Sequence, residues 1–288
     1  MDNTMKDQSF YFDATEVLKD TWLITSHGST AYLCAGDTEG VVIDTGDSYG
    51  NLRQFCEDLC GKPVRTVLNT HGHFDHTGLN GYFETAYMGR LAAVIAKQPN
   101  GGQPAERYPL DYEIVTVDDG FTIQIGGRVF EAFRMDGHSP DSVAWLDKTR
   151  RILFTGDNLA AMVPLDYHCV DPQPSMLLYM MSVAKLLTRR EEYDYVAYGH
   201  AQELKSADMV NHAMMAALRA LDGELDEPDK GPHPRPVEDG IKGPIDQPYH
   251  NPDKDPADDG FIRYKDVEIL FNKRYLKDTT RYDIIEGT

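Results

Sequence analysis

The chain has 288 residues and carries 28 Lys and Arg against 47 Asp and Glu, a formal charge of −19. That balance excludes a nucleic-acid backbone or an anionic membrane as the main partner, because phosphate contacts need a stripe of basic residues. Hydrophobic residues make up 41% of the chain, enough to build a core, and no apolar run approaches the roughly 18–20 residues that span a bilayer. Four cysteines are too few for a disulfide framework. The N-terminal MDNTMKDQSF lacks a basic-then-apolar leader pattern, so the expected location is cytoplasmic, with reduced thiols.

In chain order, residues 15–46 read as strands, with Ala31–Cys34 and Val41–Ile43 as short β-rich runs between Gly and Asp turns. A helix follows: Leu52, Phe55, Cys56 and Leu59 fall at i, i+3, i+4 and i+7, and Gly61 and Pro63 close it. Cys56 and Cys60 share one face of it and read as buried thiols rather than a zinc pair. Val64–Asn69 is a buried strand. Residues 89–97 read as helix and 98–110 as loop. Between 112 and 155 the pattern returns to five short strands, with Gly126-Gly127 as a hairpin turn. A helix is expected over 175–190, a strand over Tyr195–Tyr198 and a helix over 203–222. This β-then-α order, twice repeated, predicts an α/β architecture of two sheets packed face to face with helices outside. Residues 226–260 hold eight of the sixteen prolines and are rich in acids, which suits an extended strap. Phe261–Tyr264 and Val267–Phe271, with Lys265-Asp266 between them, read as a terminal β-hairpin. The expected organisation is therefore one domain over 1–225 and a strap with hairpin over 226–288, docked on that domain or on a partner chain.

The chemistry concentrates at strand ends. Val64–Asn69 runs directly into His71-Gly72-His73-Phe74-Asp75-His76. At an extended spacing of two, His71 and His73 point the same way. Asp75 and His76 face a neighbouring position. Four nitrogen and oxygen donors in six residues exceed the three protein ligands that one catalytic tetrahedral ion takes beside its water, so the spacing points to two adjacent ions. Gly137-His138, Thr155-Gly156-Asp157 and Gly199-His200 repeat the arrangement of a strand, a glycine and a donor.

These motifs, in this order and together with Asp44 in Ile43-Asp44-Thr45-Gly46, resemble the metallo-β-lactamase-fold hydrolases over about residues 15–220. The resemblance implies an αββα sandwich of two mixed sheets with the site at one edge. It implies that His71, His73 and His138 hold a first ion, that Asp75, His76 and His200 hold a second, and that Asp157 bridges both. Asp44 is then a supporting residue that fixes the ligand loop. Two zinc ions per chain suit nitrogen and carboxylate donors, and manganese or iron also fit. Such a pair makes hydroxide from water near neutral pH, with Asp75 and Asp157 as the catalytic carboxylates. The implied reaction is attack on an ester, thioester or lactone carbonyl of a small-molecule substrate.

Departures from subfamily patterns narrow this. Flavo-diiron reductases carry Glu where His73 stands and append a flavin domain. A large class of secreted lactamases has Cys at the position of Asp157. Lactonases place a substrate-facing Tyr where Ala160 stands, and a basic glutathione-binding segment is not evident. The run Gly137–Ser142 resembles the acyl-thioesterase-like branch. The alternatives left standing are a mono-iron thiol or persulfide oxidoreductase using His71, His138 and Asp157, and hydrolysis of β-lactams or phosphodiesters. Loops 98–110 and 158–170 are expected at the pocket rim, with Tyr167 and His168 as substrate-binding candidates, or else packed beneath the strap. The strap itself could bring Tyr249 or His250 near the substrate. Truncation after Gly223 is expected to leave the metal site intact while changing substrate preference or a homo-oligomeric state.

Overall fold

The computed structural model describes residues 11–26, 28–97, 108–165, 175–227 and 258–277. Four strands open the chain: β1 (Asp13–Leu18), β2 (Thr21–Ser26), β3 (Ser29–Ala35) and β4 (Gly40–Ile43). They pair antiparallel in sequence, then β5 (Val64–Leu68), β6 (Thr85–Met88) and β7 (Glu113–Thr116) extend the sheet in parallel. The parallel crossovers are covered by helix α1 (Leu52–Cys60) and α3 (Arg90–Ala96), with the one-turn α2 (Phe74–Thr77) between them in the chain. Helix α1 ends as its sequence requires: Gly61 adopts the left-handed conformation (φ 68°) and returns its N–H to Glu57.

The second sheet contains β8 (Thr122–Ile125), β9 (Arg128–Met135), β10 (Ser142–Asp147), β11 (Ile152–Gly156), β13 (Tyr195–Tyr198) and β14 (Lys205–Ser206), in the order β14-β13-β11-β10-β9-β8. Gly126 and Gly127 both have positive φ, so the β8–β9 turn is the tight hairpin that two glycines favour. Its outer face is covered by α4 (Met176–Leu187) and α5 (Met209–Leu221).

Alternation within strands sorts the core into layers. From the first sheet, Leu23, Tyr32, Cys34, Val41, Ile43 and Leu68 face inward to Phe130, Ala132, Trp145 and Phe154 of the second. Ile24, Leu33, Val42 and Val67 point the other way, onto Leu52 and Cys56 of α1 and Ala92 of α3. The result is the expected αββα sandwich. Cys56 is buried and unpaired, whereas Cys60, expected to be buried with it at the end of α1, is only half-buried, and neither joins a cluster of metal-ligand type among the described residues.

Three elements differ from the sequence reading, the first being β6, which fills a stretch where no strand was expected. The helix expected from 203 begins at Met209, because Lys205-Ser206 pair with Tyr195-Val196 as the polar edge of the second sheet. Residues 158–170, expected as loop, contain β12 (Met162–Pro164). That strand pairs in parallel with β16 (Val267–Asn272), which is joined antiparallel to β15 (Asp259–Tyr264). The terminal hairpin thus completes a three-stranded sheet on the body of its own chain, and Val163 and Leu165 are buried under it. Tyr167, His168, Tyr249, His250 and most of 98–110 lie outside the described residues.

Candidate metal centre

All the donor side chains meet at the ends of β5, β9, β11 and β13, on the edge shared by the two sheets. The chain reverses sharply after β5. His71 and His73 come from the extended turn, and Asp75 and His76 from α2, which begins at Phe74 inside the motif. The loops after β9 and β11 bring in His138 and Asp157, and the residue following Gly199 after β13 is His200. Gly199 is obligatory: a Cβ there would lie 2.2 Å from Asp157 Oδ1 and 2.5 Å from His76 Cε1.

The donors form two abutting clusters, His71–His73–His138 and Asp75–His76–His200, whose ligand atoms lie within 4.8 Å of one another in each. The ring centroid of His71 is 4.2 Å from that of His76 and 5.0 Å from that of His138. Asp157 stands between the clusters. Its Oδ2 is 3.6 Å from His138 Nε2 and 3.2 Å from His200 Nε2, and its Oδ1 is 3.5 Å from His76 Nε2. Asp75 Oδ2 is 3.6 Å from both His76 Nε2 and His200 Nε2. Donors bonded to one tetrahedral ion at about 2.0–2.1 Å are separated by roughly 3.3 Å, so these spacings fit a divalent ion in each cluster. His71 Nε2 is buried without a hydrogen-bond partner, which a buried polar atom avoids unless something else engages it.

The opposite nitrogen of several rings is anchored. His71 Nδ1 meets Thr70 Oγ1 at 3.1 Å, and His138 Nδ1 meets the Pro164 carbonyl at 2.9 Å. His200 Nδ1 meets the Gly28 carbonyl at 2.7 Å, and His76 Nδ1 meets Asp44 Oδ2 at 3.1 Å. A nitrogen that donates to a carbonyl or carboxylate leaves the other with its lone pair outward, as metal ligation requires. Asp44 sits at positive φ (53°) and also accepts from the Thr70 backbone at 2.8 Å and the Thr70 hydroxyl at 2.6 Å. Its carboxylate is therefore spent on holding His76 and the 69–71 turn, although it lies close enough to His71 and His76 to group with them.

The two clusters differ electrostatically. Burial, reinforced by the neighbouring histidines, holds His71 well below the usual imidazole range. Burial also lowers His138, against the pull of Asp157. Burial opposes charge on His76 and His200 as well. There the carboxylates of Asp157 and Asp75 win, raising His76 well above its ordinary value and His200 to about 9. Burial would raise Asp157, but His200 and His76 hold it well below the usual carboxylate range. The site opens to solvent on the side of Asp75 and His200, whose side chains are 29% and 34% exposed, while His71 and His76 are fully buried.

The family model of the Metallo-beta-lactamase superfamily matches residues 24–210. The chain belongs to this superfamily. Among solved structures, a metallo-beta-lactamase from Pontibacter korlensis superposes with a TM-score of 0.56 at 19% identity, over 72% of this chain and 99% of that one. Among curated proteins, the chain is 25% identical over 172 residues to the human acyl-coenzyme A thioesterase MBLAC2, covering 49% of this chain and 61% of the relative. It is 24% identical over 178 residues to the atrochrysone carboxyl ACP thioesterase AgnL7 of Paecilomyces divaricatus, covering 61% of this chain and 51% of the relative. The chain thus spans half to three fifths of these relatives' lengths. Two contacts at this site escaped the sequence reading: the Gly28 and Pro164 carbonyls that anchor His200 and His138. Backbone groups leave no mark in a sequence. Thr70 and Asn158, whose Oδ1 accepts from the His138 amide at 2.9 Å, were detectable only as polar neighbours of the motifs.

Proposed function

We propose that the protein is a dinuclear zinc hydrolase that cleaves acyl thioesters. The observation that supports it most directly is the pair of abutting donor clusters with Asp157 between them. The thioesterase names of the relatives favour the thioester among carbonyl substrates. In this reading His71, His73 and His138 hold one ion, Asp75, His76 and His200 the other, and Asp157 both. Bound zinc ions supply a water of lowered pKa and polarise the carbonyl oxygen. The protein's own groups do the rest. Asp44, Thr70 and the Gly28 and Pro164 carbonyls hold the imidazoles in register, and Asp75, on the solvent side, orients the attacking water and accepts its proton. The buried wall of His71, His76 and Asp157 keeps bulk water from the far side.

Purified protein should contain about two zinc per chain and release free thiol from acyl thioesters faster than it opens lactones, β-lactams or phosphodiesters. One iron per chain with thiol oxidation would replace this reading with the oxidoreductase. His200→Ala should deplete mainly one of the two metals, and equal loss of both, or of neither, would count against the two-cluster scheme.

The protonation states predict unequal loading. In the metal-free protein burial favours the neutral form of His71 and His138, whereas the carboxylates of Asp157 and Asp75 favour the protonated form of His76 and His200. Ligation needs neutral imidazole, so the second cluster should release more protons on loading than the first. Affinity of the second cluster should weaken as pH falls below about 9, the value to which His200 is raised. The same shifts act on the metal-free fold with the sign of raised groups: their stabilisation is complete below the ordinary histidine value of about 6.5 and is lost as pH rises through the raised values. Calorimetric titration with zinc in two buffers of different ionisation enthalpy measures the protons released. Equal release in the two loading phases would contradict the assignment.

A further inference from the structure

Strand β12 is three residues long and lies at the edge of its sheet, with β16 as its neighbour. The pairing is explicit. The Glu268 amide donates to the Ala161 carbonyl at 2.8 Å, and the Leu165 amide donates to the Leu270 carbonyl at 2.8 Å. Val163 and Ile269 are opposite one another and fully buried. Between those two hydrogen bonds lies Pro164, whose carbonyl accepts from His138 Nδ1 at 2.9 Å. Beyond β16, the hairpin is fastened through buried Phe261, Ile262, Val267 and Phe271, and through the Arg263 amide, which donates to Asp226 at 2.8 Å.

This continuity runs from the C-terminal hairpin through β12 to a ligand imidazole. We propose that the hairpin Asp259–Asn272 is a working part of the metal centre, setting the orientation of His138 by pinning the Pro164 carbonyl. The inference rests on the hydrolase reading above, since it assigns His138 to a metal. Pro164 acts as a positioning residue through its backbone. In this view truncation after Gly223 removes the metal site's support instead of sparing the site, because β12 loses its partner and the core loses five apolar side chains.

The test uses full-length protein and two substitutions at one position. The Glu268 N–H faces β12, so Glu268→Pro deletes that inter-strand bond. Glu268→Ala keeps the amide and removes only the side chain, whose Oε1 accepts from Arg263 Nε at 2.7 Å. Binding is read by cobalt absorption spectra and by zinc competition with a chelator. Glu268→Pro should weaken the His71–His73–His138 cluster about 10–100-fold, the usual effect of losing a group that orients a ligand, and Glu268→Ala should bind as wild type. A folded Glu268→Pro protein with wild-type cobalt spectrum and affinity would overturn the proposal. Should that variant not fold, wild-type hydrogen exchange decides, because linkage is reciprocal. Zinc should slow exchange at the Glu268 and Leu165 amides more than in the distant β1–β2 ladder, and equal slowing would overturn the proposal. Failure of the wild-type protein to take up zinc would instead defeat the hydrolase reading itself.

Discussion

Asp157→Ala is expected to lower kcat/KM on any thioester by about 10³-fold or more, equivalent to roughly 4 kcal/mol of transition-state stabilisation, and to reduce zinc below two per chain. Asp157 reaches the Nε2 atoms of donors in both clusters, His138 on one side and His76 and His200 on the other. In the proposed scheme its loss would take an anionic ligand from each ion, and it leaves His76 and His200 with only Asp75 of the two carboxylates that raise them. The fold should survive, because Asp157 lies at the end of β11 and its side-chain contacts are to the site. Circular dichroism checks the fold, and metal analysis and thiol release check the rest. Full activity at unchanged stoichiometry would remove Asp157 from the mechanism.

The largest loss of stability is expected away from the site, from Asp147→Ala. Arg128 of β9 is 2% exposed and Asp147 of β10 is 0% exposed. The guanidinium donates to Asp147 Oδ2 from both Nε and Nη2, and Nη1 reaches across to the Asp20 carbonyl at 2.8 Å and the Thr21 hydroxyl at 3.0 Å in the other sheet. Removing the carboxylate strands a buried cation against neutral acceptors, which costs about 3–5 kcal/mol. For a domain of this size that is a fall in Tm of roughly 10 °C. Asp147 Oδ1 also accepts from the Thr149 amide at 2.8 Å, so the β10–β11 turn loosens with it. A double variant, Arg128→Met with Asp147→Leu, should recover much of the loss, because the penalty lies in the unpaired charge rather than in the absence of the pair. A fall in Tm of only one or two degrees for Asp147→Ala would show that water reaches Arg128.

The donors that now lie together were legible in the sequence for a physical reason: each is a side chain at a strand end beside a residue that lets the chain turn. Gly199 shows why the glycine recurs, since no Cβ fits between it and Asp157. Layering was legible in the twice-repeated order of strands then helices, and the structure realises it by alternation in β2 to β5, which separates two apolar faces. What escaped was decided by partners far along the chain. Met162-Val163-Pro164 is a strand only because β16 lies beside it, and three residues carry no period of their own. Lys205-Ser206 is polar and short, and the sheet edge at β13, not its own composition, makes it β14. The role of Asp44 was visible only by resemblance, since its positive φ and its four donors are properties of the folded turn.

The seam between β12 and β16 joins segments about 100 positions apart, and contacts at such separation close late in folding. On the ribosome, the residues of both sheets and all seven donor side chains emerge before β16 exists as a free segment. If the hairpin pins the Pro164 carbonyl as proposed, that carbonyl takes its final place only after synthesis has passed Asn272. In that proposal a nascent chain stalled short of Asn272 would hold the donors without this support, so competence for metal would wait on the synthesis of β16.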